Sequence, residues 1–179
     1  QGLYPPSNED PSRIAHDDEG YAAEVQGEDD RSFTPRQRAH DGSSWRPLAR
    51  RGEYAAAYQA IESEGASAVR DEVDDLLLAA DAARLSNHPH EALRWLERVT
   101  RSHAGDARAP LASFTAGRIE LQLGHPDEAA VAFERVLATE GAGSLAEDAL
   151  ARAVYSYRRA GDGARATALS RRYLERYPN

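Results

Sequence analysis

The sequence lacks several residue types, and each absence excludes a class of site. It has 179 residues with no cysteine, no methionine and no lysine, so that its 22 Lys-or-Arg side chains are all arginine. Without cysteine, disulfide frameworks and thiolate-bound zinc or iron–sulfur sites are excluded. Aromatic residues make up only 7% of the chain, and the mean hydropathy is -0.69. No apolar run reaches the roughly 18–20 residues that span a membrane, so membrane contact is expected only through an anchor outside this sequence.

Negative charge is concentrated in the first quarter of the chain. Residues 1–44 contain ten acidic residues and four arginines, whereas residues 45–179 contain twenty acidic residues and eighteen arginines. The first segment has only scattered apolar residues, too few to offset roughly 1–2 kcal/mol of backbone entropy per ordered residue. The sequence therefore predicts an acidic disordered linker or tail over 1–44 and a folded domain over 45–179. The overall acidic balance argues against nucleic acid as a partner.

The folded domain is a repeat. Turn residues recur at intervals of 35, 37 and 37 residues, at Gly52, Asn87, Gly124 and Gly161. Each turn residue is followed five positions later by an alanine, at Ala57, Ala92, Ala129 and Ala166. A period of this length is typical of helical solenoids built from helix–turn–helix units. We expect the alanines to lie where the two helices of a unit approach each other closely.

Helical periodicity and helix-end signals predict eight helices. The expected ranges are 45–51, 54–64, 69–85, 89–101, 109–123, 126–139, 145–160 and 163–177. A proline in the first turn of the fourth and sixth helices costs no hydrogen bond there. Ser144 and Glu147 form a capping-box pattern at the start of the seventh helix, and Ser43 or Ser44 is expected to cap the first. No segment alternates with period two over a useful length, so the predicted fold class is all-α.

The third and fourth units resemble the tetratricopeptide repeat (TPR) family. The third unit carries the resemblance at Ala116, Gly117, Leu123, Gly124, Ala129, Phe133 and Val136. The fourth carries it at Ala153, Tyr157, Gly161, Ala166 and Tyr173, with Arg176, Tyr177 and Pro178 at its end. The first two units depart from the pattern, with Trp45 at a small-residue position and Ala104 in place of the closing proline. The resemblance implies a right-handed α-solenoid of about four units, each made of a helix A and a helix B.

The repeat spacing is similar to that of bacterial cell-envelope TPR proteins. These include Tol–Pal accessory proteins, outer-membrane assembly lipoproteins and the TPR tails of anti-sigma regulators of the FecR type. This resemblance implies a periplasmic or cell-envelope setting in an envelope or signalling protein, with the cytoplasm as the alternative.

No arrangement of side chains predicts catalysis. His88 and His125 occupy equivalent positions of two turns, and His90 follows a helix-starting proline, so the repeat accounts for all three. A metal site would need a third ligand at a set spacing. The carboxylates of Asp74 and Asp75 near a helix start are explained by the helix dipole and by solvation. We therefore predict a protein that is not an enzyme and has no metal site and no cofactor.

The TPR resemblance implies that helix A of each unit lines a concave, ligand-binding surface. Carried over by position, the predicted peptide-binding groove consists of Arg46, Arg50, Leu77, Arg84, Phe114, Arg118, Gln122, Tyr155, Arg158 and Arg159. Arginine suits bidentate recognition of carboxylates, and the two aromatic residues could supply apolar anchors. The alternative is that these arginines are solvated surface with partners on their own helices.

Two functions remain open from the sequence. The first is a non-catalytic protein–protein interaction module that binds a peptide or protein segment, acidic or carboxylate-bearing, in this groove. The second is a structural spacer or homo-oligomerisation element whose groove is filled by a neighbouring copy.

Overall fold

The computed structural model describes residues 45–139 and 142–178. The predicted acidic segment 1–44 and the predicted cap at Ser43 or Ser44 lie outside this range. Within it, eight α-helices follow one another: α1 (Trp45–Arg50), α2 (Tyr54–Glu64), α3 (Val73–Leu85), α4 (Pro89–Ser102), α5 (Ala109–Leu123), α6 (Pro126–Ala138), α7 (Leu145–Ala160) and α8 (Gly163–Arg176). The part of the chain so described contains no strand, and none of its helices is both long and apolar enough to cross a membrane.

Helix α3 begins four residues later than predicted. The chain leaves α2 at Gly65, forms one 3₁₀ turn over Ala66–Ala68 and is extended at Glu72. This segment is held by side chains of other elements, since the Trp45 indole donates to the carbonyl oxygen of Ala68 at 3.2 Å. The local periodicity does not report these distant contacts, so it cannot place the boundary.

The four predicted turns all have the same backbone geometry. Gly124 and Gly161 end their helices in the left-handed conformation, with φ of 83° and 84°, which glycine adopts without a Cβ penalty. After each turn residue, the next amide donates to the carbonyl oxygen five residues before it, at 2.8–3.0 Å. This repeated cap satisfies the last carbonyls of each helix A and reverses the chain into helix B.

The predicted capping box at Ser144 is wrong. Ser144 already has helical dihedral angles, φ -64° and ψ -17°, and its side chain makes no capping hydrogen bond. A hydroxyl in that conformation does not reach the free amides of the first turn, because capping requires extended dihedral angles. Glu147 instead accepts a hydrogen bond from the Tyr173 hydroxyl at 3.0 Å.

Each helix packs against the next one along the chain, and the A helices also contact each other in the pairs α1–α3 and α5–α7. The four alanines that follow the turns at a regular spacing are buried, as predicted. Ala57, Ala92 and Ala129 are fully buried, and Ala166 is 4% exposed. The fold is therefore an all-α solenoid of four TPR-like helix pairs.

The buried side chains form two main clusters. The first core belongs mainly to α1–α4 and contains Trp45, Leu76 and Leu96. The second core belongs to α5–α7 and is centred on Phe114 and Phe133, whose rings meet edge to face at 5.5 Å. The two halves of the solenoid are thus stabilised by separate sets of large side chains.

We expect Ala129→Leu to lower the free energy of unfolding by roughly 1–3 kcal/mol, because Ala129 is fully buried in the second core and a larger side chain would overpack it. Ala132→Leu on the same helix is the comparison. Ala132 is also buried, at 4% exposure, but it borders an open cavity into which leucine can extend. Urea denaturation of both variants tests this, and equal losses would contradict the assigned register.

Ser156→Ala should stabilise the protein by about 1 kcal/mol, because the fully buried Ser156 hydroxyl has no hydrogen-bond partner among the residues that the structure describes. Ser170→Ala is the matched control, since the Ser170 hydroxyl donates to the carbonyl oxygen of Ala166 at 2.8 Å. Thermal unfolding of both variants measures the difference. A lower melting temperature for Ser156→Ala would show that this hydroxyl has a partner after all.

Candidate interaction surface

One side of each helix A faces solvent. In α5 this side contains residues 111, 115, 118 and 122, which are spaced by four, three and four residues and so share one face of a helix. The repeat places the equivalent residues at 74, 78, 81 and 85 in α3 and at 148, 152, 155 and 159 in α7, with Arg46 and Arg50 in α1. None of these residues is buried. We call this set of residues the A-face.

The A-face carries most of the large apolar side chains that are exposed in the described part of the chain. Leu85, Leu111 and Tyr155 are 48%, 47% and 52% exposed, and all three belong to it. The other two large exposed apolar residues, Val131 and Leu174, lie on B helices. These three side chains lie on the same side of three successive A helices, where each can serve as an apolar anchor for a ligand.

The A-face also carries positive charge that the fold does not neutralise. Arg50, Arg118 and Arg159 have no ion-pair partner among the residues that the structure describes. The acidic residues of this face all have arginine partners, and Asp74 pairs with Arg108, which precedes α5. Asp81 accepts from Arg84 at 2.7 Å, and Asp148 accepts from Arg152 at 3.1 Å. The uncompensated charge of the A-face is therefore positive.

Seven of the ten predicted groove residues are exposed. Arg50, Arg118, Gln122, Tyr155 and Arg159 lie on the A-face itself, and Arg84 and Arg158 lie at its border. Leu77 is half-buried against the first core. The structure thus brings most of the predicted residues to one side of the solenoid. Leu78 and Leu111, which share that side, are absent from the predicted set, although their spacing from Arg118 and its equivalents could have identified them.

Phe114 is not an exposed anchor, contrary to the sequence prediction. It is 7% exposed, packs on Phe133 and is covered by the Arg152 guanidinium, which lies 5.4 Å from its ring centre. Its position is one residue away from the A-face register, which turns the ring towards the second core. Burial of the phenylalanine ring at this position stabilises the folded protein, because it removes apolar surface from water.

Arg46 is not available to a ligand in the way predicted, because it forms an ion pair with Asp75 of α3. The Arg46 Nε lies 2.9 Å from both carboxylate oxygens of Asp75, and its Nη2 makes a further close contact. The same guanidinium donates to the carbonyl oxygen of Ala68 at 3.0 Å. Arg46 therefore joins α1 to α3 and to the segment between α2 and α3.

Asp75 is a structural residue and not part of a solvated acidic pair. It is 2% exposed and also accepts hydrogen bonds from the Arg70 backbone amide at 3.3 Å and the Arg70 Nε at 2.8 Å. Hydrogen bonds from Arg46 are the main reason why its pKa lies well below the ordinary value. The repeat offered a signal for this role, since the equivalent residues Ala112 and Ala149 are fully buried alanines.

The predicted turn histidines have local partners. The His88 ring stacks on Tyr58 with 3.8 Å between ring centres, and burial of Tyr58 raises its pKa to about 12. His125 Nδ1 lies 2.9 Å from a Glu120 oxygen. Over residues 45–139 and 142–178, no group of three or more histidine, aspartate or glutamate side chains is arranged to hold a metal ion.

Comparison with known proteins shows a likeness to a solved structure. No family model matches the sequence, and no curated protein matches it. The crystal structure of MamA, a TPR-like solenoid, superposes with a TM-score of 0.54 at 17% sequence identity, covering 74% of this chain and 73% of MamA. At that identity the likeness concerns the fold alone, and it identifies the chain as a TPR-like α-solenoid.

Proposed function

We propose that this protein is a non-catalytic protein–protein interaction module that binds a segment of a partner along its A-face. The observation that carries the proposal is the grouping of Leu85, Leu111 and Tyr155 with the unpaired Arg118 and Arg159 on that single surface. Helix-based surfaces of this type recognise peptides through a few apolar anchors surrounded by charged contacts.

The chemistry of the A-face specifies the ligand. Guanidinium groups without an internal carboxylate partner favour carboxylates, with which they form paired charge-assisted hydrogen bonds. The exposed leucines and Tyr155 favour apolar side chains between those carboxylates. We therefore expect a peptide segment that combines aspartate or glutamate with leucine-like residues. The cell-envelope and signalling setting rests on repeat spacing alone and remains a prediction.

Selection from a library of random twelve-residue peptides, with the full chain as bait, tests this function. We expect the selected peptides to be enriched in acidic and large apolar residues. Their affinity should fall at least about tenfold in the double variant Arg118→Glu with Arg159→Glu, which corresponds to about 1.4 kcal/mol. The control is Arg171→Glu with Arg172→Glu, which alters two exposed arginines of α8 outside the A-face.

Two outcomes would contradict the proposal. If the selected peptides bind both double variants equally well, the A-face is not their site. If the chain forms a dimer on dilution-series sedimentation, and the A-face variant but not the control variant dissociates it, the face is filled by a neighbouring copy. The protein would then be a self-association element.

A further inference from the structure

A second groove lies between the B helices α4 and α6, with α5 as its floor. It has a volume of about 470 Å³. A smaller cavity of about 210 Å³ shares Thr100 and Arg135 with it and extends it towards the start of α5. This combined size is in the range of ligand-binding clefts, roughly 300–1,000 Å³. We call the two cavities together the B-groove.

The B-groove is on the other side of the solenoid from the A-face. The α5 residues that form its floor are Ala109, Ser113, Ala116 and Glu120. At about 100° per residue, this set is centred roughly 160° around the helix from the A-face residues of α5. A ligand in the B-groove would therefore leave the A-face open.

The two ends of the B-groove differ in charge. At the start of α6, Glu120, Asp127 and Glu128 face a single arginine, Arg94. The His125 Nδ1 atom lies 2.9 Å from one carboxylate oxygen of Glu120. Asp127 and Glu128, in contrast, have no ion-pair partner in the part of the chain that the structure describes. This end is acidic, because three carboxylates face one arginine.

The opposite end offers donors. Arg135 lines both cavities and has no ion-pair partner within residues 45–139 and 142–178. Ser113 is 4% exposed, lines the smaller cavity and makes no side-chain hydrogen bond to any described residue. Its hydroxyl is open to the smaller cavity, where a ligand can form a hydrogen bond with it. Glu97, which lies between the two ends, is held by Arg101 at 2.7 Å.

The centre of the B-groove is apolar. Leu93, Ala116 and Ala132 line it, and Val131 is 42% exposed at its edge. These side chains suit one apolar residue of a ligand. Because they lie between an acidic end and a basic end, the charge of the groove changes sign along its length.

We propose that the B-groove binds an extended segment of a partner protein. In this segment a basic residue, an apolar residue and a glutamate occupy every second position, with one other residue between each pair. In an extended chain, residues i, i+2 and i+4 point to one side and span about 13 Å. Glu128 and Arg135 are seven residues apart in α6, which corresponds to about 10.5 Å along the helix. The basic residue would meet Asp127 and Glu128, and the glutamate would meet Arg135 and Ser113.

Two peptides of identical composition test this proposal. The forward peptide is Ac-Gly-Arg-Ser-Leu-Ser-Glu-Gly-NH₂, and the scrambled peptide exchanges its arginine and leucine, so that its two charges do not flank the apolar residue in either chain direction. Each is titrated into the ¹⁵N-labelled full chain. We expect the forward peptide to shift the amide signals of Ser113, Val131 and Arg135 and to bind at least tenfold more tightly than the scrambled peptide. Equal binding, or no shift with either peptide, would overturn the proposal.

A charge exchange locates the interaction. The Arg135→Glu variant should no longer bind the forward peptide, and it should bind a variant peptide that has arginine in both charged positions. Arg118→Glu is the control, because it alters the A-face, and it should leave the affinity for the forward peptide unchanged. If Arg118→Glu abolishes binding of the forward peptide and Arg135→Glu does not, the peptide binds to the A-face, and a B-groove site is refuted. The proposed function of the A-face would stand in that case.

Discussion

Replacing Asp75 with asparagine is expected to lower the free energy of unfolding by about 3 kcal/mol. Asp75 is 2% exposed and accepts hydrogen bonds from both Arg46 and Arg70, and hydrogen bonds to buried charged groups contribute about 1.5–3 kcal/mol each. The loss should stay at the lower end of the range of about 3–5 kcal/mol for broken buried ion pairs, since both arginines remain partly solvated. Urea denaturation provides the measurement.

Asp74→Asn is the matched control. Asp74 is the neighbouring residue and pairs with Arg108, but its side chain is 79% exposed, and exposed ion pairs contribute roughly 0–1 kcal/mol. A double-mutant cycle with Arg46→Ala should show coupling between Arg46 and Asp75. If Asp75→Asn and Asp74→Asn have equal effects, the ion pair does not hold α1 against α3.

The contribution of Asp75 should also depend on pH. The folded protein lowers the pKa of this carboxyl below its ordinary value of 3.8. A lowered pKa stabilises the folded state above the unfolded pKa, and that stabilisation is lost as the pH falls towards the folded pKa. The stability difference between the unmodified chain and Asp75→Asn should therefore be constant from pH 7 to about pH 5 and shrink below about pH 4. Unfolding curves at these pH values measure it, and a difference that grows in acid would contradict the assignment.

Phe133→Ala is expected to lower the free energy of unfolding by about 3–5 kcal/mol. Phe133 is fully buried at the centre of the second core, where its ring meets Phe114. Removing the ring leaves a cavity that the adjacent helices fill only in part. Val131→Ala on the same helix is the control, since Val131 is exposed and should change stability by less than about 0.5 kcal/mol. Similar losses for both would mean that Phe133 is not the centre of this core.

Gly117 provides a second test of the same contact. A Cβ at Gly117 would lie 2.8 Å from the Cε1 and Cζ atoms of Phe133. Although alanine is favoured over glycine in a helix by about 1 kcal/mol, we expect Gly117→Ala to destabilise the protein by about 1–2 kcal/mol through overpacking. In a Phe133→Leu background the same change should cost less. An equal cost in both backgrounds would show that the ring does not limit this position.

Much of the fold was determined by the sequence alone. The residues that end each helix A, from Gly52 to Gly161, specify a left-handed turn through local backbone sterics, so their spacing was enough to predict the four units. The alanines five positions later specify close helix packing by their size. Such signals depend on residues within one or two helical turns, and the sequence contains all of that information.

The tertiary structure decided what those local signals do not contain. Asp75 looks like any acidic residue near a helix start until α1 brings Arg46 against it. Phe114 and Leu111 are both apolar residues of α5, yet one is buried and the other exposed, because α6 and α7 cover only one side of that helix. The A-face exists because no helix covers that side of the A helices. The B-groove exists because the B helices of two neighbouring units leave a space between them. Burial and ion pairing are properties of the packed helices, and residues far apart in the chain determine them.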